Sequence, residues 1–179
     1  MSLHVSLDLE TLGTGSNAAI ISIGACKFDP WADGGIDDRF HAHITFESAM
    51  KYGRADADTI LWWIGQDQHA RVTMLAAQDS AVELDEALSV FADWFGSEPL
   101  LVWGNGATFD NVILRNAFKA CVIECPWGYY NDRCFRTLKN LSAVMAPPFE
   151  GVRHDALADA VHQAKWTQQI VAMRKLMVL

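Results

Sequence analysis

Residues 3–11 read Leu3-His4-Val5-Ser6-Leu7-Asp8-Leu9-Glu10-Thr11. Apolar side chains at Val5, Leu7 and Leu9 alternate with His4, Ser6, Asp8 and Glu10, the two-residue period of a β-strand. Side chains at i and i+2 of a strand point to one face, so Asp8 and Glu10 project together from its end. Working outward, residues 18–28 (AAIISIGACKF) are apolar and rich in β-branched residues, and Asp29-Pro30 stops them. Residues 38–46 (DRFHAHITF) alternate again. Short connections join the three segments, which are therefore expected to pair as an antiparallel meander.

Beyond them the pattern turns helical. Asp56 or Asp58 offers a cap for a helix carrying Ile60, Leu61, Trp62 and Trp63, and residues 68–77 continue in the same style. Ser80 offers a cap for an amphipathic helix through Phe95, closed by Gly96. A short apolar strand, Leu100–Trp103, runs into Gly104-Asn105-Gly106, and a helix is expected over 109–121. Residues 126–135 read as loop with one brief strand, followed by helices over 136–145 and 155–176. A meander followed by strand–helix alternation predicts an α/β domain with a mixed sheet flanked by helices. No repeats or linkers interrupt it, and residues 1–179 are read as one domain.

Hydrophobic residues make up 51% of the chain, yet no apolar run approaches the ~20 residues that span a bilayer. No basic flank precedes an apolar stretch at the start, so a cytoplasmic protein without a membrane role is expected. Cys26, Cys121, Cys125 and Cys134 then read as reduced thiols. Net charge is −8, which argues against broad, nonspecific grip on a duplex. It is compatible with a site that binds divalent cations, because the cation itself then meets phosphate.

Two adjacent carboxylates, Asp8 and Glu10, repel unless a cation lies between them. Asp110 follows Thr108-Phe109 at a strand-to-helix turn, where side chains line the sites of α/β domains. His154 precedes the last helix; Asp155 suits its cap, and Asp159 lies about one turn inside it. Ala156, Leu157, Ala158, Ala160 and Val161 surround Asp159 with apolar neighbours, and a carboxylate in such company needs a partner. Each residue alone has an ordinary reading as a cap or a solvated charge. Together, four carboxylates suit two Mg²⁺ or Mn²⁺ ions, which prefer hard oxygen ligands. Such a pair supports in-line phosphoryl displacement, with a neutral histidine to take a proton.

The chain resembles the DEDDh exonucleases, whose signature is Asp-x-Glu, an Asp-bearing second motif, and His-x4-Asp. Here these stand as Asp8-Leu9-Glu10-Thr11, Gly104-Asn105-Gly106-Ala107-Thr108-Phe109-Asp110, and His154 to Asp159, in the family's order. Within the family the chain is most similar to the small bacterial and phage 3′–5′ exoribonuclease-like branch, which includes the RNase AS and DexA types. The resemblance implies a ribonuclease H-like fold and release of nucleoside monophosphates from a 3′ end. It implies that Asp8 bridges two metals, that Glu10 and Asp159 complete one site, and that Asp110 supports the other. It implies His154 as general base, and a homodimer, as in RNase T and RNase AS. Many relatives carry His-Asn-x-x-Phe-Asp in the second motif; this chain has Gly104-Asn105 and one extra residue before Asp110.

Thr11 and Leu12 stand where relatives place backbone donors and an apolar wedge against the terminal nucleotide. Trp62 and Trp63 point about 100° apart on a helix, so one is expected in the core while the other can stack a base. Asn105 and Arg136 are further candidates for substrate contact. His41 and His43 share a strand face with no carboxylate nearby in sequence, and read as structural. The expected partner is the 3′ end of single-stranded RNA or DNA, RNA favoured. Two other readings remain open: a nucleic-acid-binding scaffold of the same fold, and a phosphodiesterase for very short oligonucleotides.

Overall fold

The computed structural model describes residues 3–36 and 38–177, with side chains through Arg174. Three strands, β1 (His4–Thr11), β2 (Ile20–Phe28) and β3 (Arg39–His43), form the expected antiparallel meander. Helices α1 (Phe46–Tyr52), α2 (Ala57–Gly65), α3 (Gln68–Ala76) and α4 (Leu84–Phe95) follow. Strand β4 (Leu101–Gly104), helix α5 (Asp110–Ala120), strand β5 (Asp132–Cys134), and helices α6 (Phe135–Asn140) and α7 (Ala156–Met177) complete the order. The sheet runs β3-β2-β1-β4-β5, with β4 and β5 parallel to β1. It is the mixed five-stranded sheet that the sequence predicts.

Alternation along β1 decides what lies on each face. Val5, Leu7 and Leu9 join Leu88, Phe91 and Phe95 of α4 and Ile113, Leu114 and Phe118 of α5 in the main core. The opposite face receives α7 across β1 and β2. There Ala156, Ala160 and Ala164 are fully buried, and small side chains let the helix lie close to the strands. Each large apolar residue buried in this way contributes roughly 1.5–3 kcal/mol. Asp8 and Glu10 belong to the α7 face.

Three boundaries differ from expectation. The third strand stops at His43, because Thr45 leaves the sheet and its Oγ1 caps α1 by accepting from the Ser48 amide at 3.2 Å. Ser80 is not a helix cap; it sits in a 3-10 turn, Ala77–Ser80, and α4 begins at Leu84, whose amide donates to Ser48 Oγ at 2.8 Å. The helix expected over 136–145 ends at Asn140. Leu141 and Met145 are exposed and bury no apolar face there, Pro147-Pro148 follow, and the segment is pinned instead by Trp166 Nε1 donating to Val144 O at 3.0 Å. Among the described residues, no helix is long and apolar enough to cross a membrane.

Candidate active site

Pairing between β1 and β4 ends at Leu7 and Gly104, so Asp8 to Thr11 project past the last shared rung. A register shift between Glu10 and Thr11 follows at once, the kind of bulge that re-aims side chains beside sites. Across the sheet, Asp8 faces Gly24 of β2. A Cβ on Gly24 would lie 2.1 Å from the Ala156 carbonyl carbon and 2.2 Å from the Leu157 nitrogen. Only a bare α-carbon lets the first turn of α7 rest there. That seat carries Asp159 to the end of β1, and one carboxylate oxygen each from Asp8, Glu10 and Asp159 lies within 4.8 Å of the other two. One turn further along α7, Gln163 is 4% exposed and donates from Nε2 to Asp8 Oδ1 at 2.8 Å.

Asp110 enters from the other side. Gly104 ends β4, and a Cβ there would meet Asn111 Oδ1 at 2.3 Å and Asp110 Oδ2 at 3.0 Å. Asn111 clamps this turn by donating from Nδ2 to Val102 O at 2.9 Å and to Asp132 Oδ1 at 3.0 Å. Asp132 is held in turn by Arg115 and by Trp127 Nε1. The Asp110 carboxylate is 3% exposed and receives backbone N–H groups of Leu9, Asn105 and its own residue. It is close enough to Asp8 to be the largest charge acting on it.

The electrostatics follow from crowding. Burial raises the Asp8 carboxyl well above the usual range, and Asp110, Glu10 and Asp159 push it further, against the hydrogen bond from Gln163. Burial and then Asp159, Asp110 and Asp155 push Glu10 up to about 8. Burial raises Asp110 to about 7 despite its backbone donors and the nearby Arg136. Asp159 is raised by burial, opposed by the His154 amide. Asp8, Glu10 and Asp159 form one all-oxygen donor set, with Asp110 beside Asp8 but outside that 4.8 Å group; a divalent cation such as Mg²⁺ or Mn²⁺ would fit it and relieve the repulsion.

His154 has φ 63, a left-handed backbone, and its N–H donates to Asp159 Oδ2 at 3.0 Å. Its ring meets that of Trp62 edge-on at 5.0 Å and that of Trp63 at 6.2 Å. The two tryptophans divide as their helical spacing requires. Trp63 is 3% exposed and donates from Nε1 to Thr11 O at 2.9 Å; Trp62 is 46% exposed. Trp62 walls a cleft of about 890 Å³ together with Leu9, Glu10, Thr11, Asp56, Asp58 and Phe109.

Of the other residues singled out from the sequence, Thr11 lines this cleft, but its hydroxyl donates to Gly13 O at 2.7 Å. Leu12 does not line it: its amide donates to Ala19 O, and its side chain borders a separate apolar groove with Phe46, Met50 and Met74. Asn105 and Arg136 lie together at the Asp110 turn, where Arg136 Nη2 donates to Asn105 O. His41 does have a carboxylate neighbour after all. Asp155 Oδ2 lies 3.8 Å from His41 Nε2, while Asp155 Oδ1 caps α7 by accepting from the Ala158 amide at 2.8 Å. Asp56 precedes α2 without capping it and instead accepts from the Thr14 amide at 2.8 Å.

Residues 3–171 match the family model of the 3′–5′ exoribonuclease Rv2179c-like domain. The chain belongs to that family. Its mixed five-stranded sheet flanked by helices is the ribonuclease H-like α/β fold, shared with solved nucleases. Cell-death related nuclease 4 superposes with a TM-score of 0.63 at 18% identity, over 97% of this chain and 64% of that one. The nuclease domain of 3′hExo, a DEDDh family member solved with rAMP, gives 0.64 at 13% identity over 96% and 92%. E. coli exonuclease I, solved with a dT13 oligonucleotide, gives 0.67 at 13% identity over 99% of this chain and 43% of that one. The Rv2179c-like chain thus spans less than two thirds of the first and less than half of exonuclease I. No curated protein matches the sequence.

Sequence reasoning passed over Gly24 and Gln163. A lone glycine in an otherwise apolar, β-branched strand was the available signal for the first, since it marks a close backbone approach. For Gln163 the signal was spacing: it lies four residues after Asp159, on the same side of α7.

Proposed function

We propose that this domain is a divalent-metal-dependent 3′–5′ exonuclease that trims single-stranded nucleic acid, RNA in preference to DNA, to nucleoside 5′-monophosphates. The observation that carries the reading is the convergence of Asp8, Glu10 and Asp159, with Asp110 beside Asp8. These four residues would hold two Mg²⁺ or Mn²⁺ ions, with Asp8 shared. When bound, the ions supply the positive charge that balances the scissile phosphate and the developing oxyanion.

The protein's own groups do the rest. His154 is the general base: its imidazole, set at the mouth of the site on a left-handed residue, takes the proton from the attacking water. The Asp159 carboxylate fixes that residue through the His154 amide. The terminal nucleoside occupies the cleft, its base against the exposed face of Trp62 and its sugar toward Glu10 and Thr11. Gln163 keeps the Asp8 carboxylate turned toward its neighbours. Arg136 meets a phosphate oxygen from the Asp110 turn, and Asn105 holds Arg136 and Asp110 in place through its backbone. The oligomer expected by analogy is a homodimer in the cytoplasm.

One assay tests the reading: 5′-labelled RNA and DNA oligonucleotides, single- and double-stranded, incubated with Mn²⁺, Mg²⁺ or a chelator. A ladder of successively shortened products, abolished by chelation, is expected. A few discrete internal fragments, or equal turnover in chelator, would sink it.

A further inference from the structure

The cations of this acidic chain are not evenly used. Lys27, Arg115 and Lys165 are spent on Asp38, Asp132 and Glu150, whereas no ion pair among the described residues engages Arg136, Lys139 or Arg153. They stand on the elements that carry or abut the carboxylates, with Lys139 over the Trp166 ring of α7. Arg136 leans over the Asp110 turn, where a Cβ on Gly106 would lie 3.0 Å from its Nη2. Arg153 immediately precedes His154 and acts on Asp159. Arg136 and Lys139, three apart on α6, share one side of that helix.

Aromatic rings interleave with the charges. The second row of α7, His162 and Trp166, faces α6 and the 141–153 segment, with ring centroids 6.1 Å apart. Phe149 lies 5.0 Å from His162. Arg153 sits 5.2 Å from the Phe149 ring, and Lys139 sits 5.6 Å from that of Trp166. The opposite flank of the site has the reverse character: the Trp62 cleft is lined by Glu10, Asp56 and Asp58 and by no lysine or arginine. A nucleoside can enter that cleft, but a polyanion leaving through it would be repelled.

We infer that α6, the 141–153 segment and the half-buried His162–Trp166 row of α7 form the track for the strand upstream of the scissile bond. Its phosphates are gripped by Arg136, Lys139 and Arg153, and its bases stack on Phe149, His162 and Trp166. Alternating cations and aromatic faces are what sequence-tolerant binding of a single strand requires. The track rests on the exonuclease reading above and adds a length dependence to it. Substrates long enough to cover the track bind through it, and a dinucleotide does not reach it.

The test is fluorescence anisotropy of a labelled single-stranded oligonucleotide of about twelve nucleotides, titrated in EDTA across a range of NaCl. Each phosphate contact with a single strand contributes about 0.7 to the slope of log affinity against log salt. Lys139→Gln combined with Arg153→Gln is therefore expected to flatten the slope by about 1.4. Lys139→Arg with Arg153→Lys should restore it, whereas Lys139→Met with Arg153→Met, which keep the apolar stems without the charge, should not. Lys51→Gln combined with Lys119→Gln, two exposed lysines on α1 and α5, is the charge-matched control and should leave the slope unchanged. With Mn²⁺, the advantage in kcat/KM of the long substrate over a dinucleotide should fall in the Gln pair, because only the long substrate reaches the two lost cations. An unchanged slope, failure of the charge-restoring pair, or no binding by the wild type overturns the track. Hydrolysis without cation dependence removes the track and leaves the exonuclease. Cation-dependent binding without hydrolysis keeps the surface and removes the exonuclease.

Discussion

Asp8 is the residue on which most forces converge, since it faces Asp110, Glu10 and Asp159 and is restrained by Gln163. Asp8→Asn and Asp110→Asn should each abolish hydrolysis in saturating Mg²⁺ with the circular dichroism spectrum unchanged. Losing charge stabilisation of the transition state costs about 3–4 kcal/mol, or 10²–10³-fold in kcat. His154→Ala should lower kcat by roughly 10²–10⁴ while calorimetry still detects metal binding. Loss of binding in that variant would make His154 a ligand rather than a base. Trp62→Ala, at an exposed ring on the cleft wall, should raise KM by the ~1–3 kcal/mol of one stacked base and leave the fold intact. The grouping of Asp8, Glu10 and Asp159 was legible in the sequence because two carboxylates on one strand face, and another among apolar neighbours, each call for a partner. Gln163 was not, because a glutamine on a long helix has no distinctive company until the helix is laid on its sheet.

At the scale of elements, α7 decides whether there is a site. It brings His154, Asp155 and Asp159 to the sheet in one piece, and Gly24 is where it lands. Gly24→Ala places a methyl carbon inside the van der Waals radius of the Ala156–Leu157 peptide, so the helix must retreat. Thermal denaturation should show a loss of roughly 1–3 kcal/mol from overpacking, and calorimetry should show weaker metal binding as Asp159 draws away. A stable variant with unaltered metal affinity would refute this account of the seat. The first and third strands were readable from alternation, the second from an apolar β-branched run, α5 from the glycine-rich turn before it, and α7 from Asp155 as a cap. The start of α4 and the end of α6 were not. Ser80 looks like a cap in isolation, but the Leu84 amide is served by Ser48 from another helix, and α6 ends for want of a surface to bury. Such partnerships are tertiary and leave no local trace.

For the whole molecule, the carboxylate cluster is a liability that a bound divalent cation would remove. The sign follows from the direction of the shifts. Glu10 is raised from 4.5 to about 8, Asp110 from 3.8 to about 7, and Asp8 and Asp159 are raised as well. The metal-free folded state therefore holds protons that the unfolded chain has released between about pH 4.5 and 8. Where the folded state binds more protons, stability falls as pH rises. The apoprotein should lose melting temperature across that window, on the order of a few kcal/mol in all. Mg²⁺ or Mn²⁺ should recover more at pH 8 than at pH 5.5. A metal increment that shrinks with rising pH would contradict the assignment of the four carboxylates as ligands.

Asp8 and Asp159 stand 151 positions apart in the sequence yet share one cluster. The cluster therefore closes only once α7 has been made, and a chain cut short before Ala156 lacks the last of its converging carboxylates.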